Sequence, residues 1–213
     1  MKTVAFLVGA VLATTPCFVA EVHGQSNGPL NKMDRPEWRI GDTWTYQVKS
    51  VETGKTSTLK RTVVREENDT YVVRSGSKED FHNKQSLNLR EARDLSGKIL
   101  WSYVPDLPLF DWPLKVGKLW RTRFTSTDPQ GERMTVDVTV EVKALEEVDL
   151  LFSKKTAAFK LVEQRYNMRG AQVGEYVWWV SPEMKNIVRW IESRILLNKT
   201  TEGWLIDYKT VKD

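Results

Sequence analysis

The residues best suited to do chemistry lie between Gly174 and Trp190, where Tyr176, Trp178, Trp179 and Trp190 flank a turn at Ser181-Pro182. In an extended strand from Glu175 to Val180, Val177 and Trp179 share one face and Tyr176, Trp178 and Val180 the other. After the turn, Val188 and Trp190 fall on one side and Ile187, Arg189 and Ile191 on the other. Apolar residues therefore occupy both faces. Two arrangements satisfy that pattern: a central strand covered on both sides, or a strand with one face lining a ligand cavity. In the second, Tyr176, Trp178, Trp179, Trp190 and Trp204 supply aromatic walls, and Arg189 is the polar anchor for an acidic head group.

Other chemistries find few residues. Cys17 is the single cysteine and falls within the export signal, as does His23, so His82 is the one imidazole of the mature chain. That excludes thiolate chemistry and leaves too few ligands for a zinc site. His82 reads as a lone surface histidine. Glu66-Glu67-Asn68-Asp69 lacks the spacing of a calcium loop and reads as a solvated turn. No Gly-x-Ser-x-Gly or Gly-rich phosphate loop is present. Glu163, Glu175, Glu183 and Glu192 could pair in a carboxylate hydrolase, although strand-borne Glu usually faces water. The reading is a non-catalytic protein without metal or cofactor. The alternatives are a carboxylate-dependent hydrolase of an envelope polymer and a purely structural interaction protein.

The N-terminus has the layout of an export signal. Lys2 is followed by an apolar run from Val4 to Ala13, too short for the roughly 20 residues a membrane span needs. Cleavage after Gly24 makes residues 1–24 the signal, with cleavage after Ala20 as the competitor. Pro16 directly before Cys17 is a poor fit to a lipoprotein site, so the chain is read as periplasmic or secreted rather than lipid-anchored. The mature chain has no transmembrane segment. Its net charge of +4 comes from Lys and Arg interspersed with Asp and Glu, which argues against nucleic acid as a partner.

Residues 25–36 are polar and rich in Gly, Asn and Pro, and read as a flexible leader. A single domain then occupies 37–213. Alternation marks strands at Trp44–Val48, Leu59–Glu66, Thr70–Arg74, Ser86–Arg90 and Lys98–Val104. Pro105 to Pro113 holds three prolines and reads as a loop. Further strands are expected at Trp120–Phe124, Met134–Val142, Ala158–Tyr166, Glu175–Val180, Asn186–Ile195 and Gly203–Thr210; Leu145 to Lys155 could hold a short helical turn. Such regularly punctuated strands define an all-β, mainly antiparallel protein.

Two signals recur. Trp38-Arg39-Ile40-Gly41-Asp42-Thr43-Trp44 matches Leu114 to Trp120 at an offset of 76, and Gly97 to Pro105 matches Gly174 to Pro182 at an offset of 77. Together they suggest a duplication, with repeats over about 38–112 and 113–190 and extra strands over 191–213. The expected architecture is an open, incomplete barrel or curved sandwich built from two similar meander halves.

The segment Trp178 to Trp190 resembles a signature of exported bacterial proteins of unknown function: an aromatic pair, Ser-Pro-Glu, then a basic-apolar strand. Pro36 to Val48 resembles the Gly-Asp-x-Trp-x-Tyr opening strand of the same set. By organisation these proteins are similar to the incomplete β-barrels of periplasmic lipoprotein carriers of the LolA and LolB type, in which a curved sheet wraps an apolar cavity. That resemblance implies a lipid or lipoprotein ligand. The chain departs from it in having no helical segment that could form a lid.

Overall fold

The computed structural model describes residues 31–152 and 154–211. The segment read as the export signal, with Cys17, and the first half of the leader (25–30) lie outside them.

Fourteen strands follow one another with a single short 3-10 turn. They are β1 (Lys32–Met33), β2 (Thr43–Ser50), β3 (Thr56–Glu67), β4 (Thr70–Ser75), β5 (Lys78–Asn83), β6 (Leu89–Asp94) and β7 (Ile99–Leu107) in the first half. The second half has β8 (Leu114–Lys115), β9 (Leu119–Thr127), β10 (Arg133–Asp149), β11 (Lys155–Asn167), β12 (Gln172–Ser181), β13 (Asn186–Arg194) and β14 (Lys199–Lys209). The 3-10 turn, Ile195–Leu197, joins β13 to β14. Leu145 to Asp149, read as a candidate helical turn, instead continues β10 past a bulge between Val142 and Ala144. The strand β5 has no counterpart among the expected strands.

The barrel is closed, which corrects the expectation of an open barrel or sandwich. Twelve strands hydrogen-bond in the order β10-β11-β12-β13-β14-β2-β3-β4-β5-β6-β7-β9, and β9 returns to β10. Two seams make the closure. β14 lies antiparallel along β2 from Thr201↔Ser50 to Lys209↔Thr43, and β7 meets β9 at Ser102↔Thr127, Tyr103↔Ser126 and Val104↔Thr125. Closure satisfies the backbone groups that an open sheet leaves bare at its edges. Bulges in β3, β10, β13 and β14 add the local curvature that closure needs.

Alternation decides what faces inward. Val136, Val138, Val140 and Val142 of β10 are buried, while Asp137 and Glu141 on the same strand and Arg121 and Arg123 of β9 point outward. A membrane-spanning barrel carries an apolar band there. The two ends of the barrel differ. One end carries the six hairpin turns between β2 and β3, β4 and β5, β6 and β7, β9 and β10, β11 and β12, and β13 and β14. The other end is a floor. There the small ribbon of β1 and β8 pairs Met33 with Leu114, both buried, so the segment read as leader enters the fold at Lys32. Trp38 and Trp44 pack over the same floor with ring centroids 5.4 Å apart. Their indole N–H groups donate to the carbonyls of Lys185 and Met184, each at 2.8 Å.

The first repeated motif takes the same local form twice. Gly41 and Gly117 have φ of +98° and +85°, which favours glycine. Gly41 N donates to Val63 O and Gly117 N to Val142 O, both at 2.8 Å. Val63 N and Val142 N return bonds to Asp42 O and Lys118 O. The second pair differs: Gly97 sits in a turn at positive φ, whereas Gly174 lies within β12 in extended backbone. β7 is also the sixth barrel strand of its half, and β12 the fourth of its own.

Candidate functional site: the barrel interior

An eight-stranded barrel is filled by its own side chains; twelve strands enclose more than aromatic residues can fill. Two cavities of about 310 Å³ and 320 Å³ result, and Glu192 of β13 lines both.

The deeper cavity is walled by Trp38, Tyr46, Trp178 and Trp190 and bordered by Leu87 and Phe110 near the floor. Trp190 owes its position to Gly203 on the neighbouring strand, where a Cβ would stand 2.1 Å from the indole ring. The ring lies against bare backbone and meets Tyr46 edge-on at 5.0 Å. Tyr46 is fully enclosed and donates its hydroxyl to Ile187 O at 2.9 Å; burial pushes its pKa up. Opposite these rings stands a charged cluster from β3 and β5. Arg61 Nη2 lies 2.9 Å from His82 Nε2 and 3.4 Å from Asp80 Oδ2, and Lys78 Nζ 2.9 Å from Asp80 Oδ1.

His82 is buried, not the surface histidine its isolation in the sequence suggested. Its Nδ1–H donates to Leu87 O at 2.9 Å, so the neutral Nε2 accepts from Arg61. Burial, with Arg61 adding to it, lowers its pKa to about 4. Burial opposes charge on Asp80 too, but Arg61 and Lys78 outweigh it and hold the carboxyl below its usual range. Asn186 Nδ2 and Arg61 Nε are buried and lack an acceptor among the described residues, as do Arg93 Nε and Arg189 Nε away from this cavity.

The second cavity lies toward the hairpin end, between Tyr103, Phe124, Tyr176 and the guanidinium groups of Arg165 and Arg194. Arg165 is nearly enclosed, stacked 4.1 Å from the Tyr176 ring and donating from Nε to Glu163 Oε1 at 2.6 Å. Burial would lower its pKa, yet Glu163 and Tyr176 raise it on balance, and it stays charged. Glu163, 1% exposed, gives its other oxygen to Trp178 Nε1 at 3.0 Å. Glu192 accepts from Arg194 at 2.6 Å. With His82 neutral, the cations Arg61, Lys78 and Arg165 match the carboxylates Asp80, Glu163 and Glu192 in number, and the exposed Arg194 adds a further cation at the second cavity.

The residues singled out from sequence divide between the two faces. Tyr176, Trp178 and Trp190 line the interior. Trp179, Arg189 and Trp204 follow one another across β12, β13 and β14 on the outside, in register. There the Trp179 ring lies between Lys160 Nζ at 5.3 Å and the Arg189 guanidinium at 4.7 Å, and its indole N–H donates to Glu146. The polar residues that face the cavities, Arg61, Asp80, His82, Arg165 and Asn186, were missed. One signal could have found some of them: Arg61 follows Leu59 and precedes Val63, and Glu163 and Arg165 continue from Leu161, at inward-facing parity. A charge on an apolar face is a candidate site.

Among the described residues, no cluster of His, Cys, Asp or Glu is disposed to hold a metal ion, and no helix is long and apolar enough to cross a membrane. The fold and interior together define a closed antiparallel β-barrel with an aromatic, cation-rich cavity pair. No family model and no curated protein matches the chain. Among solved structures it is similar to the hypothetical lipoprotein YmcC of Escherichia coli, at 11% identity and a TM-score of 0.49, over 82% of this chain and 92% of that one. It is also similar to a protein described as a lipoprotein from Parabacteroides distasonis, at 10% identity and a TM-score of 0.45, over 83% and 99% of the chains. An exported protein with a YmcC-like fold from Bacteroides fragilis matches at 11% identity and a TM-score of 0.43, over 84% and 100%.

Proposed function

We propose that this is an exported envelope protein of non-catalytic type that holds an amphipathic ligand inside its barrel, the apolar part against Trp178, Trp190 and Tyr46 and an acidic head among the interior cations. The observation that carries this reading is an aromatic-walled cavity of about 310 Å³ with the cations Arg61 and Lys78 in its lining. Arg61 and Lys78 in the deeper cavity and Arg165 in the second supply the cations for an acidic head.

A binding role is further supported by the state of the carboxylates. Glu163 already accepts at both oxygens, from Arg165 and Trp178, and Glu192 accepts from Arg194. A glycosidase-type pair needs one carboxyl free to carry a proton. The volumes, near 300 Å³ each, lie at the small end of ligand sites.

The test is native mass spectrometry of protein purified from an envelope fraction, followed by titration of stripped protein with a long-chain fatty acid. Co-purified lipid is expected, along with a change in tryptophan emission, because Trp178 and Trp190 line the cavity. Lys78→Met should weaken the fatty acid by about tenfold, the cost of one lost hydrogen bond to a charged group. A clean apo mass with no emission change on titration would overturn the reading.

A further inference from the structure

We propose that the hairpin end of the barrel is a docking surface for an anionic lipid bilayer. This stands on surface chemistry and does not depend on what the cavities hold.

Hairpin tips are usually polar, because turn backbone must stay in water. Here they are not. Val51 tips the β2–β3 turn, Leu95 (59% exposed) the β6–β7 turn and Met168 (57% exposed) the β11–β12 turn. The β13–β14 turn is three consecutive aliphatic residues, Ile195, Leu196 and Leu197, in the 3-10 turn, with Leu196 67% and Leu197 57% exposed. None of the three is buried, and Asn198 in left-handed backbone closes the turn behind them. Four hairpins on one end therefore present large apolar side chains to solvent. Trp101 and Met134, both exposed, continue the patch onto the lip of the outer cavity, which Leu196 and Leu197 also line. The floor end exposes single aliphatic residues, Ile40, Val116 and Leu151, but no run of three, and it buries Trp38 and Trp44. Exposed apolar side chains gathered at one end in this way mark an interaction site.

Charge selects the partner. Lys55, Lys98, Arg133, Arg169 and Lys199 stand exposed in or beside the turns of five of the six hairpins. The acidic residues of the same turns are mostly folded inward onto backbone. Asp94 accepts from Ser96 N and Lys98 N at 2.9 and 3.0 Å, Asp128 from Gln130 N and Glu132 N at 2.9 and 2.8 Å, and Glu52 from Thr200 N. Glu132 and Glu52 are exposed, Glu52 with its bond to Thr200 N. Apolar tips among outward cations match a bilayer with anionic headgroups, where aliphatic chains insert and Lys and Arg stay at the phosphate level. A second copy of the chain would bring the same cations face to face, which disfavours mouth-to-mouth self-association.

The test is co-sedimentation of the full chain with vesicles of phosphatidylcholine, with and without phosphatidylglycerol, over a salt series. Binding is expected only with phosphatidylglycerol and should fall as salt rises. The double variant L196D/L197D should lose at least about tenfold in partition, since each buried Leu is worth more than one decade. Circular dichroism melts establish that the variant is folded. If it is not, L95D and M168D, on separate hairpins, take its place, and each should lower partition. Equal binding to neutral and anionic vesicles, no binding to either, or variants that bind like wild type would overturn the proposal. So would sedimentation velocity showing a dimer that L196D/L197D disperses while vesicle binding is absent.

Discussion

Protonating His82 means placing a charge in an enclosed site beside the Arg61 guanidinium, and this sets a specific acid sensitivity. The imidazole pKa is lowered to about 4 in the barrel, against about 6.5 in the unfolded chain. Between those values the unfolded chain binds the extra proton, so the contribution is complete above about pH 6.5 and is lost as pH falls toward 4. The full swing is roughly 3 kcal/mol. Urea unfolding of the wild type should therefore give lower stability near pH 4.5 than near pH 7, and His82→Gln, which does not titrate, should flatten that difference. Asp80 does not confound the window. Its lowered pKa confers stability that is present above the ordinary carboxylate range and lost only in stronger acid. A slope unchanged in the variant would assign the acid sensitivity to another group. None of this could be read from His82 in the sequence, where a single imidazole between Phe81 and Asn83 carries no sign of burial.

The strand that holds His82 shows where sequence patterning loses its grip at the scale of the element. Lys78-Glu79-Asp80-Phe81-His82-Asn83 falls in none of the strands expected from the sequence, yet four of its six residues are buried. Asp80 and His82 face inward, while Glu79 faces outward under Arg65 and Arg74, which lie 2.7 Å from its two oxygens. Ion pairing substitutes for apolar character on both faces, and periodicity detects only the latter. The β10 strand was legible for the opposite reason, its valines falling on one face without exception from Val136 to Val142. Gly203 offers a test at this scale. Gly203→Ala places a methyl where the Trp190 ring lies, so the ring must shift toward the deeper cavity. We expect a loss of about 1–3 kcal/mol in thermal or urea unfolding, as for other overpacked sites, together with altered tryptophan emission. Wild-type stability and emission would mean that the ring does not rest on that backbone.

For the whole molecule, closure is the property on which the cavities depend. β14 is the last strand in sequence and lies beside β2, the first of the barrel. A chain ending at Leu197 would lose β14 and leave both β13 and β2 with bare edges. It should associate through them, eluting as oligomers or aggregates in size exclusion while keeping strand signal in circular dichroism. A monodisperse monomer would show that the seam is dispensable. The same closure explains why the Trp-rich stretch divides. Trp178 and Trp179 are adjacent in sequence, but in a closed barrel adjacency means opposite sides of the wall, one in the cavity and one against Lys160 and Arg189.

By itself, the sequence determined the all-β class, most of the strands, and a stretch in which aromatic residues occupy both faces. These are local properties, set by alternation and turn chemistry over a few residues. Only the tertiary structure decided that the barrel closes, which face of β12 is the inside, and that Arg61, Asp80, His82 and Asn186 come together. Those outcomes depend on twist accumulated over twelve strands and on register between residues as far apart as Thr43 and Lys209. No window of sequence short enough to show a period is long enough to show them.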